Sequence, residues 1–152
     1  MKRILVIEDN ERNMYLMTFI LERMGHLVLK AVTGEQGVEA AVREVPDLIL
    51  MDIQLPGIDG FEATKQIRAS AATQRIPIVA VTSFAMTGDR ERLLAAGCNG
   101  YIEKPIDPAA IMGQIAGFLG GETAGDPGFA PADSFLNHGC RIHFTVQNDG
   151  QT

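Results

Sequence analysis

Leu48-Ile49-Leu50-Met51-Asp52 is an uninterrupted apolar run that ends on an acid, and Ile53-Gln54-Leu55-Pro56-Gly57 follows it. A strand with one wet face would alternate polar and apolar residues. This one does not, so it reads as a short strand covered on both sides, as in a parallel sheet held between helical layers. Ile4-Leu5-Val6-Ile7 and Ile78-Val79-Ala80-Val81 have the same form. Leu27 to Val32 is broken by Lys30, and Gly100-Tyr101-Ile102-Glu103 is half polar. Those two suit sheet edges.

Between these runs the period becomes helical. Met17, Ile20, Leu21 and Met24 share one face, with Gly25 as the stop. Val38, Ala41, Val42 and Val45 repeat the spacing behind Thr33-Gly34-Glu35-Gln36, a capping-box pattern, and Pro46 closes the segment. Asp59-Gly60-Phe61-Glu62 opens a third helix, and Leu93 to Ala96, stopped by Gly97, closes a fourth. Asp107-Pro108 caps a fifth that carries Ile111, Ile115, Phe118 and Leu119. Strands alternating with helices in this way predict an α/β fold. The sheet is doubly wound, five-stranded and parallel, in the order 2-1-3-4-5, with strands 1, 3 and 4 internal.

The chain has 152 residues, 46 % of them apolar and 21 % charged, which fits one domain of ordinary size. Its 13 bases against 19 acids give a net charge of −6 and argue against non-specific binding to nucleic acid or anionic membranes. Two cysteines, Cys98 and Cys140, make neither a disulfide framework nor a metal knuckle. No apolar run approaches the roughly 20 residues of a membrane span. Met1-Lys2-Arg3 reaches Glu8 and Asp9 before any signal-length apolar stretch, so a cytoplasmic protein is expected. Residues 1–120 are read as the domain, and 121–152 as a C-terminal tail, disordered or a truncated linker, too short for a core of its own. Arg141-Ile142-His143-Phe144-Thr145-Val146 alternates within it. An edge strand, the start of a further domain and chance within a disordered tail all fit that segment.

Ligands of such sheets bind beyond the carboxyl ends of the strands, here in the crevice between strands 1 and 3. Strand 1 ends in Glu8-Asp9-Asn10 and strand 3 in Asp52. Singly, each acid is explained by a cap or a turn. Together in one crevice, like charges destabilise one another and call for a cation. Mg²⁺ matches carboxylate oxygens, and the lack of His or Cys nearby in sequence weighs against zinc. Glu8-Asp9-Asn10-Glu11 also lacks the glycines that cradle the phosphates of a nucleotide or flavin. Strand 4 ends in Thr82-Ser83 and strand 5 in Lys104-Pro105. A carboxylate nucleophile, a metal, a hydroxyl and an ammonium are what phosphoryl transfer to Asp52 requires.

Taken in order, Ile7-Glu8-Asp9-Asn10, Leu50-Met51-Asp52-Ile53-Gln54-Leu55-Pro56-Gly57, Val81-Thr82-Ser83 and Tyr101-Ile102-Glu103-Lys104-Pro105 resemble a response-regulator receiver domain of the flavodoxin-like, CheY-like type. The resemblance covers residues 2 to 120, and its wording is closest to single-domain regulators of the DivK type. It implies that Asp52 is the phospho-acceptor. Mg²⁺ would be held by Asp9, Asp52, the backbone carbonyl of Gln54, and Glu8 through water. Thr82 would be the switch hydroxyl, Tyr101 the aromatic that turns inward with it, and Lys104 the phosphate-pairing cation. Lys104–Pro105 would be cis.

Simpler readings exist for each residue alone: Tyr101 packs an edge strand, Thr82 is β-branched in a strand, and Lys104 is a surface charge. His26, His138 and His143 are read as structural or surface, and Met14, Met17 and Met24 as core.

The function expected from this resemblance is a phosphorylation-controlled switch in two-component signalling, not an enzyme acting on a separate substrate. A sensor histidine kinase or histidine phosphotransfer protein would donate to Asp52. A downstream protein would read the face made by helix 4, strand 5 and helix 5. Direct nucleic-acid or membrane binding is not expected. The alternatives are a phosphorelay intermediate or phosphate sink, and the isolated receiver of a longer regulator or hybrid kinase. A Mg²⁺-dependent phosphatase or dehalogenase-like hydrolase would want a second acid two residues after the nucleophile, where Gln54 stands.

Overall fold

The structure is a computed structural model and describes residues 1–83, 87–124 and 142–144. Along the chain run β1 (Arg3–Ile7), α1 (Glu11–Arg23), β2 (Leu27–Ala31), α2 (Gly34–Glu44), β3 (Leu48–Asp52), α3 (Gly60–Ala69), β4 (Ile78–Thr82), α4 (Thr87–Ala96), β5 (Gly100–Glu103), α5 (Pro108–Ala124) and β6 (Ile142–Phe144). The sheet order is β2-β1-β3-β4-β5-β6. β1 to β5 are parallel throughout, in the expected 2-1-3-4-5 order. Every residue of β3 and β4 is buried, which is why their sequences show no alternation. β2 is an edge and keeps Lys30 and Leu27 at the surface.

Alternate residues of each central strand feed two cores. Leu5, Ile7, Ile49, Met51, Ile78 and Ala80 pack on one side, with Ala41 of α2, Ile67 of α3 and Leu93 of α4. Ile4, Val6, Leu48, Leu50, Val79 and Val81 pack on the other, with Met17 and Leu21 of α1 and Ile111 and Ile115 of α5. Met14 and Met24 pack against the second core as its half-buried margin.

The helix signals act as caps. Asn10 accepts from the Asn13 amide, Thr33 from Gln36 and Asp59 from Glu62, each satisfying an amide that the helix leaves without a partner. α1 stops at Gly25, whose φ of 89° favours a residue without Cβ. His26 accepts a hydrogen bond from the Lys2 amide, a structural role as read.

β5 departs from a bare edge. Ile142–Phe144 lies antiparallel along it, with Gly100 opposite Phe144, Tyr101 opposite His143 and Ile102 opposite Ile142. Of the readings open for the alternating stretch, the edge strand is the one observed. α5 continues past Gly120 to Ala124. Residues 125–141 and 145–152, with His138 and Cys140, lie outside the described residues.

Candidate functional site

β1 and β3 are adjacent and in parallel register, Ile7 opposite Met51, so the residues that follow them emerge side by side. Carboxylate oxygens of Glu8, Asp9 and Asp52 lie within 4.8 Å of one another. Glu8 and Asp52 are each only 3 % exposed, whereas Asp9 faces solvent. Lys104, one residue past β5, reaches across with its Nζ 3.3 Å from Asp52 Oδ1 and 3.4 Å from Glu8 Oε1. Its amide donates to the Thr82 carbonyl at 2.8 Å, so the ends of β4 and β5 are joined there, and Lys104–Pro105 is cis.

The loop that follows Asp52 is held on both sides. The Gln54 amide donates to Asp52 Oδ1 at 3.1 Å, and the Ile58 amide donates to Glu35 Oε2 on α2 at 3.3 Å. The Gly60 amide donates to the Ile53 carbonyl at 2.9 Å. A Cβ at Gly60 would sit 2.6 Å from both the Asp52 carbonyl oxygen and the Ile53 Cα, inside the space of backbone atoms. α3 therefore begins against the backbone of Asp52 itself.

Beside Asp52 opens a cavity of about 290 Å³, lined among others by Gln54, Phe61, Thr82, Arg92 and Leu93. Thr82 is buried at the end of β4. Tyr101 is also buried and belongs to the core cluster with Leu93. Glu8, Asp9, Asp52 and Lys104 are thus brought together, Gln54 and Thr82 line the neighbouring cavity, and Tyr101 packs in the core with Leu93. Phe61 and Arg92 had no sequence signal. Arg92 places its guanidinium 4.1 Å from the Phe61 ring centroid and so links α3 to α4 across the cavity.

Three acids around one ammonium leave an excess of negative charge. Burial, followed by the neighbouring Asp52 carboxylate, pushes Glu8 up from 4.5 to about 7, and Lys104 only partly opposes this. The folded protein therefore holds a proton on Glu8 that the unfolded chain gives up near pH 4.5. Glu8 contributes stability that is fully present below that pH and lost as pH rises through about 7. Without divalent metal, stability should fall between about pH 4.5 and 7 by up to about 3 kcal/mol from this group. Urea denaturation in a chelator checks this, and Glu8→Gln should flatten the profile. The same excess charge fits a hard divalent cation: oxygen donors only, two of them buried and one open to water.

Residues 4–116 match the family of response regulator receiver domains, and the chain belongs to that family. It is similar to the polar-differentiation response regulator DivK of Brucella ovis, with 41 % identity over 119 residues, 78 % of this chain and 97 % of the relative. DivK of Brucella anthropi matches to the same extent. Among solved structures it resembles the receiver domain of a sensor histidine kinase from Pseudomonas aeruginosa PAO1, which has magnesium coordinated in its active-site cleft. That match has a TM-score of 0.73 and 39 % identity, covering 78 % of this chain and 98 % of the other. A CheY-like receiver from Methanospirillum hungatei gives a TM-score of 0.71 and 30 % identity over 78 % of this chain and 94 % of that one. Among the described residues no helix is long and apolar enough to cross a membrane.

Proposed function

We propose that this protein is a two-component switch whose Asp52 accepts a phosphoryl group from the phosphohistidine of a sensor kinase or phosphotransfer protein. The observation that carries the reading is the convergence of Glu8, Asp9 and Asp52 around Lys104 at the ends of β1, β3 and β5. An Asp52 carboxylate oxygen attacks phosphorus, the P–N bond to the donor imidazole breaks, and an acyl phosphate forms on Asp52. Asp9, Asp52, the Gln54 backbone carbonyl and, through water, Glu8 would hold Mg²⁺, which supplies charge stabilisation for the phosphoryl oxygens. Lys104 exchanges its carboxylate contacts for the phosphoryl group, and Thr82 donates its hydroxyl. The added charge then biases the α4–β5–α5 face toward a downstream protein partner. The chain acts in the cytoplasm, on no separate substrate, and binds neither nucleic acid nor membrane directly. A second reading, the receiver of a longer regulator or hybrid kinase, is supported by the 39 % identity to a sensor-kinase receiver.

Incubation with acetyl phosphate tests the site. With Mg²⁺, intact mass should show one added phosphoryl group, and with chelator none. Asp9→Ala should lose most of the thermal upshift that Mg²⁺ gives the unmodified chain; an undiminished shift would place the ion elsewhere. Turnover of a small phosphate ester would favour a hydrolase instead.

Thr82→Ala should divide the chemistry from the response. Asp52 should still be modified, while the change in Tyr101 fluorescence on phosphorylation should be lost.

A further inference from the structure

β5 stands between two helices of opposite layers. Tyr101 belongs to the core that contains Leu93 of α4, and Ile102 to the core that contains Ile111 and Ile115 of α5. Its outer edge is where that face is open to a strand, because one row of backbone amides and carbonyls points away from β4. In this chain Ile142–Phe144 occupies that row, antiparallel and centred on Tyr101. Between Ala124 and Ile142 lie 17 residues, numbers 125–141. At about 3.3 Å per extended residue, that length easily spans a domain of this size. The match to DivK takes in 97 % of that relative but 78 % of this chain, and the family match ends at residue 116, so β6 lies beyond what the two proteins share.

The same strand is tied at its end to the acceptor. Glu103 pairs in register with Thr82, the Lys104 amide bonds the Thr82 carbonyl, and the Lys104 ammonium lies 3.3 Å from Asp52. A three-residue antiparallel ladder is a weak attachment, and a small shift of β5 is enough to break its alignment. We propose that Ile142–Phe144 is a built-in occupant of the β5 edge, which closes the α4–β5–α5 face in the unphosphorylated chain and leaves it when Asp52 is phosphorylated. The inference rests on the phospho-acceptor reading above. It assigns the tail a regulatory role: the segment competes with any partner that uses this face. By linkage, a chain without the ladder holds its phosphoryl group more readily than the chain with it.

Hydrogen exchange on the full chain tests this. At rest, amides of residues 100–103 and 142–144 should be protected together. The double variant His143→Pro/Phe144→Pro removes amide donors from β6 alone. It should speed exchange on the outer row of β5 at least tenfold, with β1, β3 and β4 unchanged. Unaltered β5 protection in that variant would show that β6 does not cover the edge. With Mg²⁺ and beryllofluoride as the phosphoryl mimic, residues 142–144 of the unmodified chain should exchange at least tenfold faster; equal or greater protection there would overturn the release. Incorporation from acetyl phosphate, read by intact mass, tests the acceptor whether or not β6 is in place. Its absence would fail the phospho-acceptor reading, while its presence with a static β6 would fail only this inference.

Discussion

Asp52→Ala is expected to take up no phosphoryl group from acetyl phosphate or from a phosphohistidine donor, where the unmodified chain takes up one. Asp52 is the acid at the centre of the cluster, buried and 3.3 Å from the one ammonium described there. Glu8 is buried beside it, 3.4 Å from Lys104, and is read as a contact to the metal through water, not as the acceptor. Asp9 faces solvent, outside the buried pair. Neither is expected to replace Asp52. Intact mass with and without Mg²⁺ reads the result, and an unchanged far-UV circular dichroism spectrum shows that the loss is chemical. Undiminished incorporation in the variant would place the acceptor elsewhere.

The largest loss of stability from one surface-proximal change is expected at Arg68, far from that chemistry. Its guanidinium donates to the carbonyls of Gly97 at 2.9 Å, Gln74 at 3.0 Å and Ile76 at 2.7 Å, and to Asn99 Oδ1 at 2.7 Å. Asn99 Oδ1 in turn accepts from the Ile78 amide at 2.9 Å, the first residue of β4. One planar group thus ties the end of α3 to the entry of β4 and to the turn between α4 and β5. Arg68→Ala should cost about 3 kcal/mol, several charge-assisted bonds lost at once and not additively. Arg68→Lys should recover less than half, because an ammonium lacks the fork that reaches carbonyls in different directions. Urea denaturation measures both, and phosphorylation of Asp52 should persist in the folded fraction.

The five parallel strands were legible because burial on both faces suppresses alternation, so Leu48 to Met51 and Ile78 to Val81 stand out without context. The caps at Thr33 and Asp59 were legible because each acts on an amide three residues away. The convergence of Glu8, Asp9 and Asp52 followed from strand order alone, since register places the strand ends together. Arg68 was not legible. Its partners lie up to 31 positions away, and nothing in Gln66-Ile67-Arg68-Ala69 distinguishes it from a helix-terminal base. Phe61 with Arg92 escaped for the same reason. Arg141 to Val146 alternated, but a three-residue strand needs a waiting edge, and the sequence contains no sign of which edge it takes.

The loop that carries Asp52 is pinned by Glu35, by the Gly60 amide, and by the lack of room for any atom at the Gly60 Cβ position. In mechanical terms it is the fixed jaw of the cleft. On the proposed function, motion that answers to phosphorylation comes from the opposite jaw, where Thr82 and Lys104 stand at the ends of β4 and β5 and share one backbone bond. A side chain at position 60 would unseat the fixed jaw before it touched the moving one. Rates of phosphoryl gain would then suffer while the coupling between Thr82 and Tyr101 stayed intact, the reverse of a lesion on β4.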